Sequence, residues 1–133
     1  MKISTRGRYA LRFLIDLACH QSSGYVTLKD ISKRQGISIK YLEQITAILT
    51  KNNCLKSVRG PQGGYMLSKK PEEYSIGELL RLTEGDIAPV ACLAEEQNTC
   101  EKKDTCPTLG LWQGLEKVIY EYLDSKTLAD LIK

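Results

Sequence analysis

The sequence predicts a mainly α fold: a winged helix-turn-helix domain followed by a long C-terminal helix. Three observations predict it. Residues 27–52 hold a capped helix, a glycine stop and a second capped helix, which is helix-turn-helix spacing. Residues 55–67 set a glycine-rich turn between two short alternating segments, the pattern of a hairpin wing. Residues 108–122 carry an apolar near-heptad seam, the pattern of a helix that pairs with another.

Each element follows from its residues. Ser4 or Thr5 can cap a first helix running to about His20, with Tyr9, Phe13, Leu14, Leu17 and Ala18 as its apolar stripe. Gly24 breaks the chain. Thr27-Leu28-Lys29-Asp30 fits a loose capping box, Leu28 and Ile31 face inward, and Gly36 supplies a left-handed stop. Ser38 caps the third helix. Leu42, Ile45 and Leu49 share one side of it with Ile48 beside them, and Asn52-Asn53 ends it. Leu55-Lys56-Ser57-Val58 and Tyr65-Met66-Leu67 read as strands around the turn at 59–64. Ser75-Ile76-Gly77-Glu78 is a capping box opening a helix with Ile76, Leu79, Leu80 and Leu82 apolar, ended by Gly85. Residues 86–107 show no periodicity. Pro107-Thr108 precedes the last helix, whose seam is Leu111, Trp112, Leu115, Val118, Ile119 and Tyr122. So apolar a stripe would not stay exposed, so dimerisation through it is expected, with packing onto its own body as the other way to cover it. Residues 125–133 read as a short capped turn.

Charge divides the chain. Residues 1–70 hold 13 Lys/Arg and 3 acids, a net +10, whereas the remainder holds 6 and 13, a net −7. A basic half joined to an acidic half suits a polyanion-binding part attached to one that must not bind it; the alternative is solvated faces that happen to segregate. The expected organisation is a DNA-binding domain over 1–85, a cysteine-rich loop over 86–107, and a dimerisation helix with its tail over 108–133. At 133 residues the chain can bury one modest core. No signal peptide or membrane span is read, so no membrane partner and a cytoplasmic location are expected. An enzyme is not expected: no nucleophile–base pair or phosphate loop is apparent.

Double-stranded DNA is therefore the expected partner. Ser38, Lys40, Tyr41, Glu43 and Gln44 lie on the first two turns of the third helix, where side chains reach base edges. Lys40 can bond guanine O6/N7 and Gln44 can bridge adenine. Glu43 only accepts, so it favours cytosine N4, unless it merely pairs with Lys40. Arg59 beside Gly60 suits a narrow minor groove. Arg8, Lys56, Arg34 and Lys51 read as backbone contacts, which add affinity but little sequence information, and Lys29 is a further DNA-binding candidate.

The chain has 5 cysteines. Cys19 and Cys54 sit among apolar neighbours and read as small core residues. Cys92, Cys100 and Cys106 are separated by seven and five residues, in the segment without other structural signal. Thiolates are soft ligands for zinc or iron–sulfur clusters. A zinc staple or a reactive-thiol loop remains open beside a cluster.

The segments STRGRYALRFLIDLA, LKDISKRQGISIKYLEQI and SVRGPQGGYML, with the three-cysteine loop leading into LW and the seam helix, resemble the bacterial regulator family that contains IscR, NsrR and CymR. The resemblance covers nearly the whole chain and is closest to the cluster-bearing, IscR-like branch. It implies a winged-helix homodimer on palindromic operators, with the long helix reaching the partner. It implies an iron–sulfur cluster on Cys92, Cys100 and Cys106, with 2Fe–2S favoured over 4Fe–4S. Ser38, Lys40, Glu43, Arg59 and Gly60 fall where family members meet DNA. The chain departs from the family at the fourth ligand. IscR-like members have a histidine where this chain has Leu109, and NsrR-like members have an aspartate where it has Arg8. Glu95, Glu96, Glu101, Asp104, Thr108, a non-protein ligand or His20 are the alternatives, although a lone histidine ending an apolar helix is more often structural.

The expected function is a transcriptional regulator that senses iron–sulfur status, redox state or nitric oxide. A cluster would order the loop, and with it the start of the dimer helix. The alternatives are a cluster-free thiol or zinc regulator of cysteine and sulfur metabolism, as CymR-like members imply, and a small iron–sulfur electron carrier.

Overall fold

Ser4 opens the first helix by accepting from the Gly7 N–H, and α1 runs Thr5–His20. The computed structural model describes every residue except Met1, Glu95, Glu96 and Lys133. Phe13, Leu14 and Leu17 make the stripe of α1 that is fully buried. Thr27 accepts from Asp30 N–H to start α2 (Leu28–Gln35), and Gly36, at φ +67°, stops it in the left-handed region. Ser38 accepts from Tyr41 N–H to start α3 (Ile39–Lys51). Leu42, Ile45 and Leu49 of α3 are buried against Ile31 and α1. Helix, tight turn and helix thus form as the caps dictate.

The wing is a two-stranded antiparallel sheet, β1 (Leu55–Val58) and β2 (Gly64–Leu67), in register Leu55 with Leu67 and Val58 with Gly64. Val26 exchanges both backbone hydrogen bonds with Tyr65, at 2.9 and 2.8 Å. A side chain at Gly64 would run into the Val26 carbonyl, so this approach needs glycine. The Leu67 N–H donates to Gln21 Oε1 at 2.9 Å. The fully buried Tyr74 donates its hydroxyl to the Cys54 carbonyl at 2.7 Å, fixing the wing's base to the body.

After the wing, α4 (Ile76–Glu84) buries Ile76, Leu79 and Leu80. One arm of its capping box forms: Ser75 Oγ accepts from Glu78 N–H. At its far end Glu84 accepts from both the N–H and the hydroxyl of Ser4, at 2.9 and 2.7 Å, tying α4 to the start of α1. The last helix, α5 (Leu109–Asp124), lies partly on α4. Arg81 of α4 grips Asp124 with two bonds of 2.9 and 2.8 Å, and Gly77 leaves the room that Asp124 occupies. The tail then returns to the body: Leu128 is fully buried and its N–H donates to the Tyr74 carbonyl at 3.0 Å.

Candidate nucleic-acid interface and thiol loop

At 100° per residue, the core residues of α3 leave Lys40, Gln44, Ala47 and Lys51 on the opposite side, and all four are exposed. Glu43 is exposed toward the wing. An open cleft of about 600 Å³ separates α3 from the wing, with Glu43, Ala47 and Thr50 on one wall and Val58, Arg59 and Gly60 on the other. Among the described residues Glu43 forms no ion pair with Lys40 or another cation, and it lines this cleft as an acceptor. Gly60, at φ +105°, turns the wing tip and leaves Arg59 exposed. Lys29, on the first turn of α2, and Lys56, on β1, are exposed as well.

Several sequence expectations change here. Ser38 is exposed, but its hydroxyl is committed to the cap of α3. Tyr41 is half-buried rather than free, with its ring edge-on to Tyr9 at 5.7 Å. Arg12 stacks over Tyr9 and donates to the Gln35 carbonyl at 2.6 Å, so α1, α2 and α3 meet at this corner. Arg34 is no free backbone-contacting cation. It holds the buried Asp16 carboxylate with bonds of 2.6 and 3.0 Å. Arg8 bonds Thr5 and lines a second groove, between α1, α4 and the end of α5, away from the α3–wing cleft. Cys54 is buried as expected, but Cys19 is exposed, because it falls on the side of α1 away from Phe13 and Leu17. Sequence reading missed Ala47 and Val58, which line the cleft. The available signal was the position of Ala47 four residues beyond Glu43 and seven beyond Lys40.

After α4, a short 3-10 turn at Ala91–Leu93 includes the half-buried Cys92. Cys100 is exposed and its N–H donates to Asn98 Oδ1 at 2.9 Å. Cys106 lies just before α5, with Sγ 3.5 Å from Thr108 Oγ1. The Thr108 hydroxyl, the N–H groups of Thr108 and Leu109, and Lys102 hold the Cys106 thiol below its ordinary range, against the opposite pull of burial. All three cysteines are free thiols. Thiolates are the right kind of ligand for an iron–sulfur cluster, and three of them leave one position to be filled. Among the described residues, no three His, Cys, Asp or Glu side chains are drawn together as a ligand set. Of the fourth-ligand alternatives, Glu101, Asp104 and Thr108 lie in the same exposed stretch, and Leu109 begins α5. Glu95 and Glu96 lie outside the described residues. His20 turns its Nδ1 to the Asp16 carbonyl at 2.8 Å, a structural contact.

The seam of α5 splits into two faces. Ile119, Tyr120 and Leu123 pack on the core. Leu111, Leu115, Val118 and Tyr122 form an outward apolar stripe, with Leu111 64% and Val118 62% exposed. No helix among the described residues is long and apolar enough to cross a membrane.

Comparison with known proteins agrees with this geometry. The model of the Rrf2 family, described as an iron-dependent transcriptional regulator, matches residues 3–133. Protein rrf2 of Nitratidesulfovibrio vulgaris is 41% identical over 133 residues, covering 100% of this chain and 88% of the relative. The structure of B. subtilis CymR, a global cysteine regulator, superposes with a TM-score of 0.79 at 37% identity, covering 98% of this chain and 95% of that one. That of T. potens IscR gives 0.78 at 41% identity, with 98% and 85% covered.

Proposed function

The chain belongs to the Rrf2 family of winged helix-turn-helix transcriptional regulators, and from that premise we propose that it binds palindromic operators as a homodimer under control of an iron–sulfur cluster. The observation that carries this reading is a juxtaposition: the loop with three free thiols runs straight into a helix whose outward face is apolar. Cys92, Cys100 and Cys106 would hold the cluster, 2Fe–2S in preference to 4Fe–4S. Bound there, the cluster would supply iron–thiolate bonds that oxygen, nitric oxide or iron shortage can break.

The chain's own residues carry the rest. The outward stripe of α5 pairs with that of a second copy, while Ile119, Tyr120 and Leu123 keep the helix on its own body. Asp124 and Arg81 link α5 to α4, and Glu84 and Ser4 link α4 to α1. Ordering of the loop therefore bears on how two reading helices are set relative to each other. Ser38, Lys40, Glu43, Gln44, Arg59 and Gly60 are the proposed DNA contacts around the cleft, with Lys29 and Lys56 on the backbone. Arg8 sits apart from them.

The exposed Cys100 and the lowered Cys106 thiol support a second reading, a cluster-free thiol regulator. Iron and sulfide assays on protein purified without oxygen separate the two. The cluster reading expects equimolar iron and inorganic sulfide, visible colour, and a colourless but folded Cys100→Ala variant. Iron-free, colourless wild-type protein contradicts it and leaves the thiol reading.

A further inference from the structure

The face of α3 expected to meet DNA has an apolar point that charge and hydrogen bonding do not explain. Ala47 is exposed near its centre, about one turn beyond Glu43. Across the cleft Val58 stays 46% exposed, because its strand partner is Gly64, which has no side chain to cover it. Both line the same cleft. Lys40, Lys51, Lys56 and Arg59 are exposed on the same elements, so the two apolar positions stand on either wall of a cleft in a positively charged surface suited to an anionic partner.

The thymine C5-methyl is the apolar group that ordinary base pairs present in the major groove, and alanine is among the side chains that meet it. We propose that Ala47 and Val58 form a methyl-reading contact that selects thymine at one position of each operator half-site. The inference rests on the reading that α3 and the wing face duplex DNA. It adds a specificity element made of apolar contact, independent of the polar contacts of Lys40, Glu43 and Gln44. Cytosine at that position carries an amino group in place of the thymine O4 and lacks the methyl, so the patch would have nothing to cover.

Duplexes enriched from a random pool by the wild-type protein provide the probe. Each thymine is replaced in turn by deoxyuridine, which removes only the methyl group, and binding is measured by fluorescence anisotropy. At one position per half-site the replacement should weaken wild-type binding about fourfold, the effect of uncovering one methyl. Ala47→Gly and Val58→Ser, which remove the protein's own methyl groups at the two positions, should lose most of that sensitivity while still preferring the enriched duplex over a scrambled one. Should glycine in the helix interior prevent Ala47→Gly from folding, Val58→Ser carries the comparison. Wild-type indifference at every thymine overturns the inference and leaves the DNA-binding reading intact, as does sensitivity retained by the variants. A pool that yields no enriched duplex overturns that reading, and the inference with it.

Discussion

The Asp16 carboxylate of α1 is completely buried, and Arg34 of α2 holds both of its oxygens, at 2.6 and 3.0 Å. Gln35 adds a third hydrogen bond at 2.9 Å. This joint sets the first helix of the DNA-reading pair against the body, so the orientation of α3 depends on a buried charge. Removing one partner leaves that charge unsatisfied. Arg34→Ala should lose roughly 2–3 kcal/mol of stability in urea titrations. The double variant Asp16→Leu/Arg34→Met should recover much of that loss, because an apolar pair replaces a buried ionic one at little cost.

The same joint makes stability depend on acid. Burial alone would raise the Asp16 carboxyl, but hydrogen bonds from Arg34 and Gln35, with the charges of Arg34 and His20, hold it below the ordinary carboxylate range. A lowered folded-state value stabilises fully above the unfolded value of about 4 and is lost as pH falls through the folded value. Unfolding free energy should therefore fall with acid below about pH 4 in the wild type. In Asp16→Asn it should be smaller at neutral pH and lose less on acidification.

Arg59 and Lys56 should differ in what they contribute to binding. Arg59 stands at the wing tip beside Gly60, whereas Lys56 stands on the exposed side of β1. Arg59→Ala should weaken binding to the enriched operator by about 1 kcal/mol or more and relax preference at the positions it contacts. Lys56→Ala should weaken all duplexes alike and lower the salt slope by about one. Gel-shift titrations at several salt concentrations measure both.

Val118 is 62% exposed on a helix with one face already committed to its own core. A carboxylate at that position cannot be buried against a second copy without a large desolvation cost. Val118→Asp should leave the melting of the body nearly unchanged, shift the protein to a monomer in sedimentation, and sharply weaken binding to palindromic sites. A dimeric Val118→Asp protein would place the interface elsewhere.

Most of the fold was legible because local signals agreed with one another. Ser4, Thr27, Ser38 and Ser75 each cap the helix they announce, and the turn before Gly64 closes the wing. What sequence could not show was long-range pairing. Arg34 looks like any cation on a basic surface until Asp16, eighteen residues earlier, is found buried beneath it. Cys19 has apolar neighbours in sequence yet lies on the outer side of α1. The seam of α5 reads as one stripe, but packing on α4 takes Ile119 and leaves Val118 outside. In the thiol loop, seven- and five-residue intervals carry no periodic signal that would place Cys92, Cys100 and Cys106 in space.

Anaerobic operator titration of cluster-loaded and cluster-free protein, run side by side on the same palindromic duplex, tests the regulatory core of the account most directly. Different affinities for the two forms are expected on the proposal that a bound cluster orders the loop and so resets the two reading heads across paired α5 helices. Superimposable binding curves from demonstrably loaded and empty protein would contradict it.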